Sequence, residues 1–169
     1  MKKLYLVDGS NHAFRVFFAL LKMMANGVHT GALLGFANML KKLEREHKPD
    51  YMAVVFDKGK SFRNDLYPEY KGHRPDMPVE LREQWPKFPG LVEAWGYPSL
   101  AMEGVEADDV IGTMAQWATD SLEVTIVSGD KDFYQLIRPQ VRILDIMKDK
   151  IISPEDVHTK FGVGPEGVI

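Results

Sequence analysis

The chain has 169 residues, no cysteine and a formal net charge of −3 at pH 7. The lack of cysteine excludes disulfides, thiolate zinc sites and a cysteine nucleophile, and it is typical of the reducing cytoplasm. No apolar run approaches the roughly 20 residues needed to cross a bilayer, and Asp8 comes too early for a secretory signal peptide. We therefore expect one cytoplasmic globular domain with no membrane partner.

Five short apolar runs predict the strands of a sheet. They cover residues 4–7, 51–56, 99–102, 123–127 and 141–144. Helical spacing predicts one helix to about residue 21, capped by Ser10 or Asn11, and another over residues 32–47, capped by Thr30. Four prolines and glycines between residues 75 and 95 predict short helical pieces there. Strands that alternate with helices and lack alternating polarity indicate an α/β fold, with a mostly parallel sheet covered by helices on both faces.

Acidic residues follow these strands or open the helix after one of them. They are Asp8, Asp57, Glu106, Asp108, Asp109, Asp130 and Asp132. A lone aspartate after a strand is usually a turn residue. The carboxyl ends of parallel strands lie at one edge of the sheet, however, so the four segments that carry these acids should converge there. Two carboxylates about 4 Å apart repel by roughly 4 kcal/mol at an effective dielectric near 20. Oxygen-only ligands therefore predict a site for Mg²⁺ or Mn²⁺.

The stretch over residues 58–74 has the opposite character. Its basic side chains are interleaved with Phe62, Tyr67 and Tyr70. The basic residues are Lys58, Lys60, Arg63, Lys71 and Arg74. Basic groups for phosphates and rings for bases are the components of a surface that binds single strands. The alternative is a solvated loop with packed aromatics.

Six short motifs occur in order along the chain. They are Val7-Asp8-Gly9-Ser10, Val55-Phe56-Asp57, Ser61-Phe62-Arg63, Tyr70-Lys71-Gly72-His73-Arg74, Gly104-Val105-Glu106-Ala107-Asp108-Asp109 and Ser128-Gly129-Asp130-Lys131-Asp132. Together they resemble the bacterial 5′-nuclease family, which comprises the flap endonuclease/5′–3′ exonuclease domain of DNA polymerase I and its freestanding relatives. The resemblance covers essentially the whole chain.

The resemblance implies a PIN-like fold and cleavage of DNA at 5′ flaps and 5′ ends, in replication and repair, with two divalent ions. All seven carboxylates match the family's metal ligands, with Asp8 and Asp57 also counted in the catalytic set. Lys71 and Arg74 match basic residues near the scissile phosphate, and Arg63 and Tyr70 complete the implied DNA-binding set. The segment from 73 to 88 corresponds to an arch over the 5′ single strand.

The family continues beyond this point to two more metal-binding aspartates and a helix–hairpin–helix associated with K⁺. We therefore expect residues 1–169 to be a 5′-nuclease domain lacking that part, with K⁺ relevant only when the part is present. The implied partner is DNA with a 5′ flap or 5′ end, and the domain is either fused to a DNA polymerase or acts beside one. We expect a monomer.

The mechanism that these residues favour is metal-assisted hydrolysis of a phosphodiester, with Lys71 and Arg74 stabilising charge on the phosphate. Three alternatives stay open. An aspartyl-phosphate phosphotransferase would use Asp8 as nucleophile, but Ser10 stands where that chemistry usually has a second acid. The other two alternatives are a nucleic-acid-binding module without turnover and a PIN-like ribonuclease.

Overall fold

The computed structural model describes residues 1–20, 23–73 and 75–168. Two predictions fall outside these ranges, namely the roles of Arg74 and the helical assignment of Leu21. No helix in the described part of the chain has the length and apolar character needed to span a bilayer.

A six-stranded sheet forms the centre of the molecule. Its strands are β1 (Lys2–Asp8), β4 (Tyr51–Val55), β5 (Ser99–Leu100), β6 (Leu122–Val127), β7 (Val141–Asp145) and β8 (Lys150–Ile152), in the order β5-β4-β1-β6-β7-β8. All pairings are parallel except that of β8 with β7, so the prediction of a mostly parallel sheet is confirmed. β8 is only three residues long and was not among the predicted strands.

Helices cover both faces of the sheet, as predicted. One face packs against α1 (Gly9–Ala19), α2 (Gly31–Lys42), α4 (Val79–Gln84) and α5 (Phe88–Ala94). The other packs against α6 (Ala107–Ala115) and α7 (Pro154–Phe161). In β1, Tyr5 and Val7 face the first layer, while Leu4 and Leu6 face the second. Because both faces of β1 are buried, its sequence is a continuous apolar run.

The helix boundaries correct one prediction and confirm two. Asp8, rather than Ser10 or Asn11, is the N-cap of α1, because its Oδ1 accepts a hydrogen bond of 3.0 Å from the Asn11 amide. The N-cap of α2 is Thr30, as predicted, although its side chain makes no capping hydrogen bond. A π-helical turn over Leu43–His47 continues α2, so the chain is helical as far as predicted.

A two-stranded hairpin, β2 (Met24–Ala25) with β3 (Val28–His29), lies between α1 and α2. Its loop is Asn26-Gly27, with φ of 51° and 78°. Positive φ at both loop residues is the geometry of a type I′ turn, for which Asn-Gly is the strongest short sequence signal. This hairpin was not predicted, because Gly27 was interpreted only as the end of the first helical pattern.

Short helical pieces fill the proline-rich region, as predicted. These are α4, a 3₁₀ turn over Trp85–Lys87, and α5. Leu81, Gln84 and Phe88 are buried, and Gln84 Oε1 accepts a hydrogen bond from the Leu33 amide of α2. These contacts tie residues 81–88 to the first layer of helices, and the arch expected over residues 73–88 stays a prediction.

Candidate active site

The carboxyl ends of β1, β4 and β6 open into a cleft of about 830 Å³. Six of the seven predicted carboxylates line it, namely Asp8, Asp57, Glu106, Asp108, Asp130 and Asp132. Phe14, Phe18, Pro75 and Pro78 contribute to the same lining. The seventh carboxylate, Asp109, lines a neighbouring cleft of about 490 Å³, together with Glu106, Asp108 and Asp132. The topology of the sheet thus brings together acids that lie up to 124 residues apart.

Asp8 is the most deeply buried of these acids, with 3% of its surface exposed. Its Oδ2 accepts a hydrogen bond of 2.8 Å from Ser128 Oγ, and its Oδ1 caps α1. Burial raises the pKa of Asp8 to about 7, and the nearby Asp108 and Asp57 carboxylates act in the same direction. Near neutral pH, a charged Asp8 is therefore costly unless a cation compensates it.

Asp57 joins the end of β4 to the start of α6. Its amide donates to Ser10 Oγ at 2.8 Å, and its Oδ1 accepts from the Ala107 amide at 2.8 Å. The next residue along α6, Asp108, has its pKa raised to about 6 by burial and by the neighbouring Asp130 and Asp57 carboxylates. These acids are thus close enough to oppose one another's ionisation.

Hydrogen bonds hold the loop that carries Asp130 and Asp132. The Asp130 amide donates to Ser128 Oγ at 3.0 Å, and the Asp132 amide donates to Asp130 Oδ1 at 3.0 Å. The Gly129 amide donates to Asn11 Oδ1 at 3.3 Å. The hydroxyl of Ser128 therefore contacts both Asp8 and the backbone of Asp130.

Gly129 lies against the guanidinium group of Arg15. A Cβ at position 129 would stand 1.9 Å from Arg15 Nη1, so no larger residue fits without moving the arginine. Arg15 Nη2 in turn pairs with the two Asp145 oxygens at 3.0 and 3.2 Å. Ser128 and Arg15 were not predicted as parts of the site. The position of the Ser128 hydroxyl, directly before Gly129-Asp130, was a usable signal for the first. Arg15 had no such signal, because its partner Asp145 lies 130 residues away in the chain.

The basic stretch reaches the carboxylates through three ion pairs, one of which joins Arg63 Nη1 to Glu106 Oε2 at 3.5 Å. Arg63 makes a bidentate pair with Asp109 at 2.7 and 2.8 Å, and this pair holds the pKa of Asp109 below its usual range. Lys71 Nζ lies 2.7 Å from Glu106 Oε1, and the Tyr70 hydroxyl lies 3.3 Å from Glu106 Oε2. Three of the four predicted DNA-binding residues thus border the acidic cleft, and the fourth, Arg74, lies outside the described residues.

The rings of this stretch are largely open to solvent. Phe62 is 44% exposed and Tyr67 is 57% exposed, while Tyr70 is partly buried against Glu106. The Lys71 ammonium lies 5.1 Å from the centre of the Tyr70 ring. Lys71 also has a φ of 56°, which is uncommon for a residue with a side chain and marks a sharp local turn.

The donors in the main cleft suit a hard divalent cation. The predicted ligands are all carboxylates, beside the oxygens of Ser10, Asn11 and Tyr70, and the raised pKa values of Asp8 and Asp108 show that the negative charges of these two acids are poorly compensated. Among residues 1–20, 23–73 and 75–168, however, no three His, Asp or Glu side chains are already placed to hold one ion. Glu106 is instead bound to Lys71, and Asp109 to Arg63.

The fold and the cleft define an α/β protein with a cluster of carboxylates at the carboxyl ends of a mostly parallel sheet. Residues 3–162 match the family model described as "5'-3' exonuclease, N-terminal resolvase-like domain", and the chain belongs to this family. The resemblance seen in the sequence is thereby confirmed.

Several proteins are similar in sequence to this one over nearly the whole chain. DNA polymerase I of Bacillus caldotenax is 44% identical over 176 residues, which cover 99% of this chain and 20% of the polymerase. A 5'-3' exonuclease of Aquifex aeolicus is 39% identical over 171 residues, which cover 99% of this chain and 59% of that protein. The chain thus spans about a fifth of the length of the polymerase relative.

Solved structures share the fold. Bacteriophage T5 5'-exonuclease with bound zinc superposes with a TM-score of 0.73 at 23% identity, covering 98% of this chain and 63% of that one. A T5 flap endonuclease in a pseudo-enzyme-product complex with DNA and metal ions gives a TM-score of 0.72 at 24% identity, covering 96% and 61%. The predicted PIN-like 5′-nuclease fold is confirmed.

Proposed function

We propose that this chain hydrolyses phosphodiester bonds of DNA at 5′ flaps and 5′ ends with the help of Mg²⁺ or Mn²⁺. The observation that carries the proposal is the convergence of seven carboxylates in one cleft, the six predicted ones and Asp76, where burial and mutual repulsion raise the pKa of Asp8 to about 7. A fold that gathers uncompensated acids in this way is suited to divalent cations.

The residues proposed to hold the ions are the six predicted carboxylates of the main cleft, without Asp76. Asp109 was predicted as a seventh ligand, and it would join them only by leaving Arg63. Bound divalent ions supply a Lewis acid and lower the pKa of a coordinated water, so no protein side chain has to act as the general base. Ser128, Ser10 and the Ala107 amide hold Asp8 and Asp57 in position for this role.

The basic stretch is proposed to position the nucleic acid. Lys71 lies at the cleft beside Glu106, where its ammonium can donate to a phosphate and offset developing charge. The Tyr70 ring is placed to stack on a base near the cut, and the exposed Phe62 and Tyr67 rings extend that surface. Arg63 and Arg74 are proposed to contact phosphates. For Arg63, this means that its guanidinium group leaves Asp109 and pairs with a phosphate of the substrate.

The printed names of the relatives support this choice of substrate. They include DNA polymerase I and a 5'-3' exonuclease, and one matched T5 structure holds DNA and metal ions. We further propose that the domain acts next to a DNA polymerase or joined to one, as the polymerase relative suggests. We also propose that it acts in the cytoplasm and as a monomer.

The test is cleavage of a 5′-flap DNA, labelled at either end, in Mg²⁺, in Mn²⁺ and in EDTA. We expect metal-dependent release of the flap and of short 5′ products. Asp108→Asn should abolish cleavage, whereas Glu93→Gln, at an exposed position on α5, should leave it unchanged. Cleavage that persists in EDTA would contradict the proposal. Faster cleavage of the matched RNA flap would indicate a PIN-like ribonuclease instead, and binding of the flap without any cleavage would indicate a binding module.

A further inference from the structure

The turn that carries Tyr70 and Lys71 is not part of a helix or a strand. Within it, the Tyr70 amide donates to the Tyr67 carbonyl at 2.9 Å, and the Gly72 amide donates to the Glu69 carbonyl at 2.8 Å. These local bonds shape the turn but do not tie it to the rest of the molecule. Lys71 has a φ of 56°, a conformation that a residue with a side chain keeps only where its surroundings favour it. A contact from outside the turn is therefore needed to fix the position of Lys71.

Asn64 on α3 (Phe62–Leu66) supplies such a contact. Its Nδ2 donates a hydrogen bond of 3.2 Å to the Tyr70 carbonyl, in the peptide group that leads to Lys71. Its Oδ1 accepts a hydrogen bond of 3.2 Å from the Ser61 amide, just before α3. A carbonyl can only accept and an amide N–H can only donate, so these two partners fix the orientation of the side-chain amide. Asn64 thus joins the start of α3 to the turn.

The start of α3 is itself attached to the loop that carries Glu106. The Phe62 amide donates to the Gly104 carbonyl at 2.7 Å, two positions before Glu106. On the other side, Lys71 Nζ lies 2.7 Å from Glu106 Oε1, and the Tyr70 hydroxyl lies 3.3 Å from Glu106 Oε2. A group that ties the turn to α3 therefore sets how these two side chains stand against the cleft.

The alternative is that Asn64 only caps α3. That role uses Oδ1 alone, and an acid performs it as well or better at a helix N-terminus. Three capping boxes occur in the part of the chain that the structure describes, and the other two have an aspartate at the equivalent position, Asp109 in α6 and Asp156 in α7. In both, the second carboxylate oxygen accepts from a cation, Arg63 or Lys150. Only Asn64 carries a donor there, and capping does not require one.

We propose that Asn64 is a positioning residue for the cleavage reaction, because it holds the turn so that Tyr70 and Lys71 face the cleft. The proposal rests on the nuclease activity proposed above. Asn64 acts through the Tyr70 carbonyl, and the groups that meet the substrate are the Tyr70 ring and the Lys71 ammonium group.

The test uses two substitutions that share one loss. Asn64→Asp keeps the acceptor for the Ser61 amide but places an oxygen against the Tyr70 carbonyl, and Asn64→Ala removes both bonds without adding charge. Asn38→Asp and Asn38→Ala make the same changes at an exposed position of α2 and are the controls. Hydrogen exchange of backbone amides is measured in EDTA, and single-turnover cleavage of a 5′-flap DNA is measured in Mn²⁺. Melting curves confirm that each variant is folded.

In both Asn64 variants, we expect the Tyr70 and Gly72 amides to exchange about tenfold faster than in the wild type, because the turn has lost its hydrogen bond to α3. Cleavage should slow by about 10²-fold, as a misplacement near 1 Å can cause. In a background carrying Tyr70→Leu and Lys71→Met, the same changes should cost less than about twofold, since the groups that Asn64 positions are gone. Both controls should match the wild type.

Wild-type exchange at Tyr70 and Gly72 in both Asn64 variants would overturn the proposal. A cleavage defect of equal size in the background without the Tyr70 and Lys71 side chains would overturn it as well. A defect confined to Asn64→Ala would show that Asn64 is only a cap, and this too would overturn the proposal. A wild type that cleaves no flap would refute the nuclease activity on which the proposal rests, whereas faster exchange in the variants would still show that Asn64 holds the turn.

Discussion

Ser128 Oγ donates a hydrogen bond of 2.8 Å to Asp8 Oδ2, and the two residues lie 120 positions apart in the chain. Both side chains are almost fully buried. The same hydroxyl accepts a hydrogen bond from the Asp130 amide at 3.0 Å. One serine thus joins the acid at the end of β1 to the loop that carries the acids after β6, and its bond to Asp8 favours the charged form of that acid.

The first prediction is that Ser128→Ala loosens this arrangement. The change removes a buried hydrogen bond to a carboxylate, so we expect the free energy of unfolding to fall by about 1.5–3 kcal/mol. Because Asp8 becomes harder to ionise, Mn²⁺ should also bind more weakly at neutral pH. Urea unfolding and direct titration with Mn²⁺ measure the two effects. Ser128→Thr keeps the hydroxyl and is the control, so an equal loss in both variants would show that the hydroxyl is not the cause.

The second prediction concerns two buried groups with opposite pH dependence. Burial raises the pKa of Asp8 from 3.8 to about 7, so without metal its contribution to stability falls as pH rises through this range. Burial lowers the pKa of His12 from 6.5 to about 4, so its contribution rises between pH 4 and 6.5. Each unit of pKa shift is worth about 1.4 kcal/mol, and the two trends oppose one another.

Variants of these residues separate the pH dependence of stability that comes from Asp8 from the one that comes from His12. Stability in EDTA should rise with pH from 4 to 6.5 in a variant that combines Asp8→Asn with Asp108→Asn, because both acids with raised pKa values are gone, the trend from His12 remains and asparagine still caps α1. Stability should fall over the same range in His12→Leu, which also removes a buried Nε2 that has no hydrogen-bond partner among the described residues. Urea unfolding at a series of pH values measures both slopes, and slopes of the same sign in the two variants would contradict these assignments.

The positions of the acids could be predicted from the sequence, because each follows an apolar strand and parallel strands end at one edge. The ion pairs of the acids could not. Arg63 and Asp109 are 46 residues apart, and no periodicity or spacing links them. A bidentate pair forms here because α3 (Phe62–Leu66) is placed beside the start of α6 by tertiary packing, through the bond from the Phe62 amide to the Gly104 carbonyl.

The cap of α1 shows a second limit. Asp8, Ser10 and Asn11 all carry oxygens suited to capping, and local preference does not choose among them. The choice depends on distant groups, because Ser10 Oγ accepts from Asp57 and Asn11 Oδ1 accepts from Gly129. Asp8 is left to cap the helix. The hairpin at Asn26-Gly27, by contrast, had a clear local signal that the sequence analysis did not use.

The third prediction is that Arg63 and Asp109 are energetically coupled. Their side chains are about one-third exposed, so we expect a coupling energy of about 1 kcal/mol for this bidentate pair. A double-mutant cycle with Arg63→Ala and Asp109→Ala measures it by urea unfolding. Strictly additive losses would show that the pair contributes nothing to stability.

The fourth prediction concerns the contact between Gly129 and Arg15. A Cβ at position 129 must displace the guanidinium group, which ends a flexible side chain and pairs with Asp145, so Gly129→Ala should destabilise the protein by about 1 kcal/mol through the weakened pair. In a background carrying Arg15→Ala the space is free, and the same glycine substitution should then cost much less. An equal cost in both backgrounds would place the strain in the backbone and not at Arg15.

The last prediction separates two roles of Lys71. Its ammonium lies 2.7 Å from Glu106 Oε1, so it neutralises a proposed metal ligand in the absence of metal and competes with a cation for that oxygen. Lys71→Met should therefore increase the rise in melting temperature caused by Mn²⁺, because Glu106 no longer has this competitor. The same change should slow flap cleavage by about 10²–10³-fold, because a donor to the phosphate is lost. Melting curves with and without Mn²⁺ and single-turnover cleavage rates give the two readings. Lys2→Met, at an exposed lysine that pairs with Asp50 outside the basic stretch, is the matched control and should change neither. If Lys71→Met weakens both metal binding and cleavage, the lysine supports the metal site and does not compete with it.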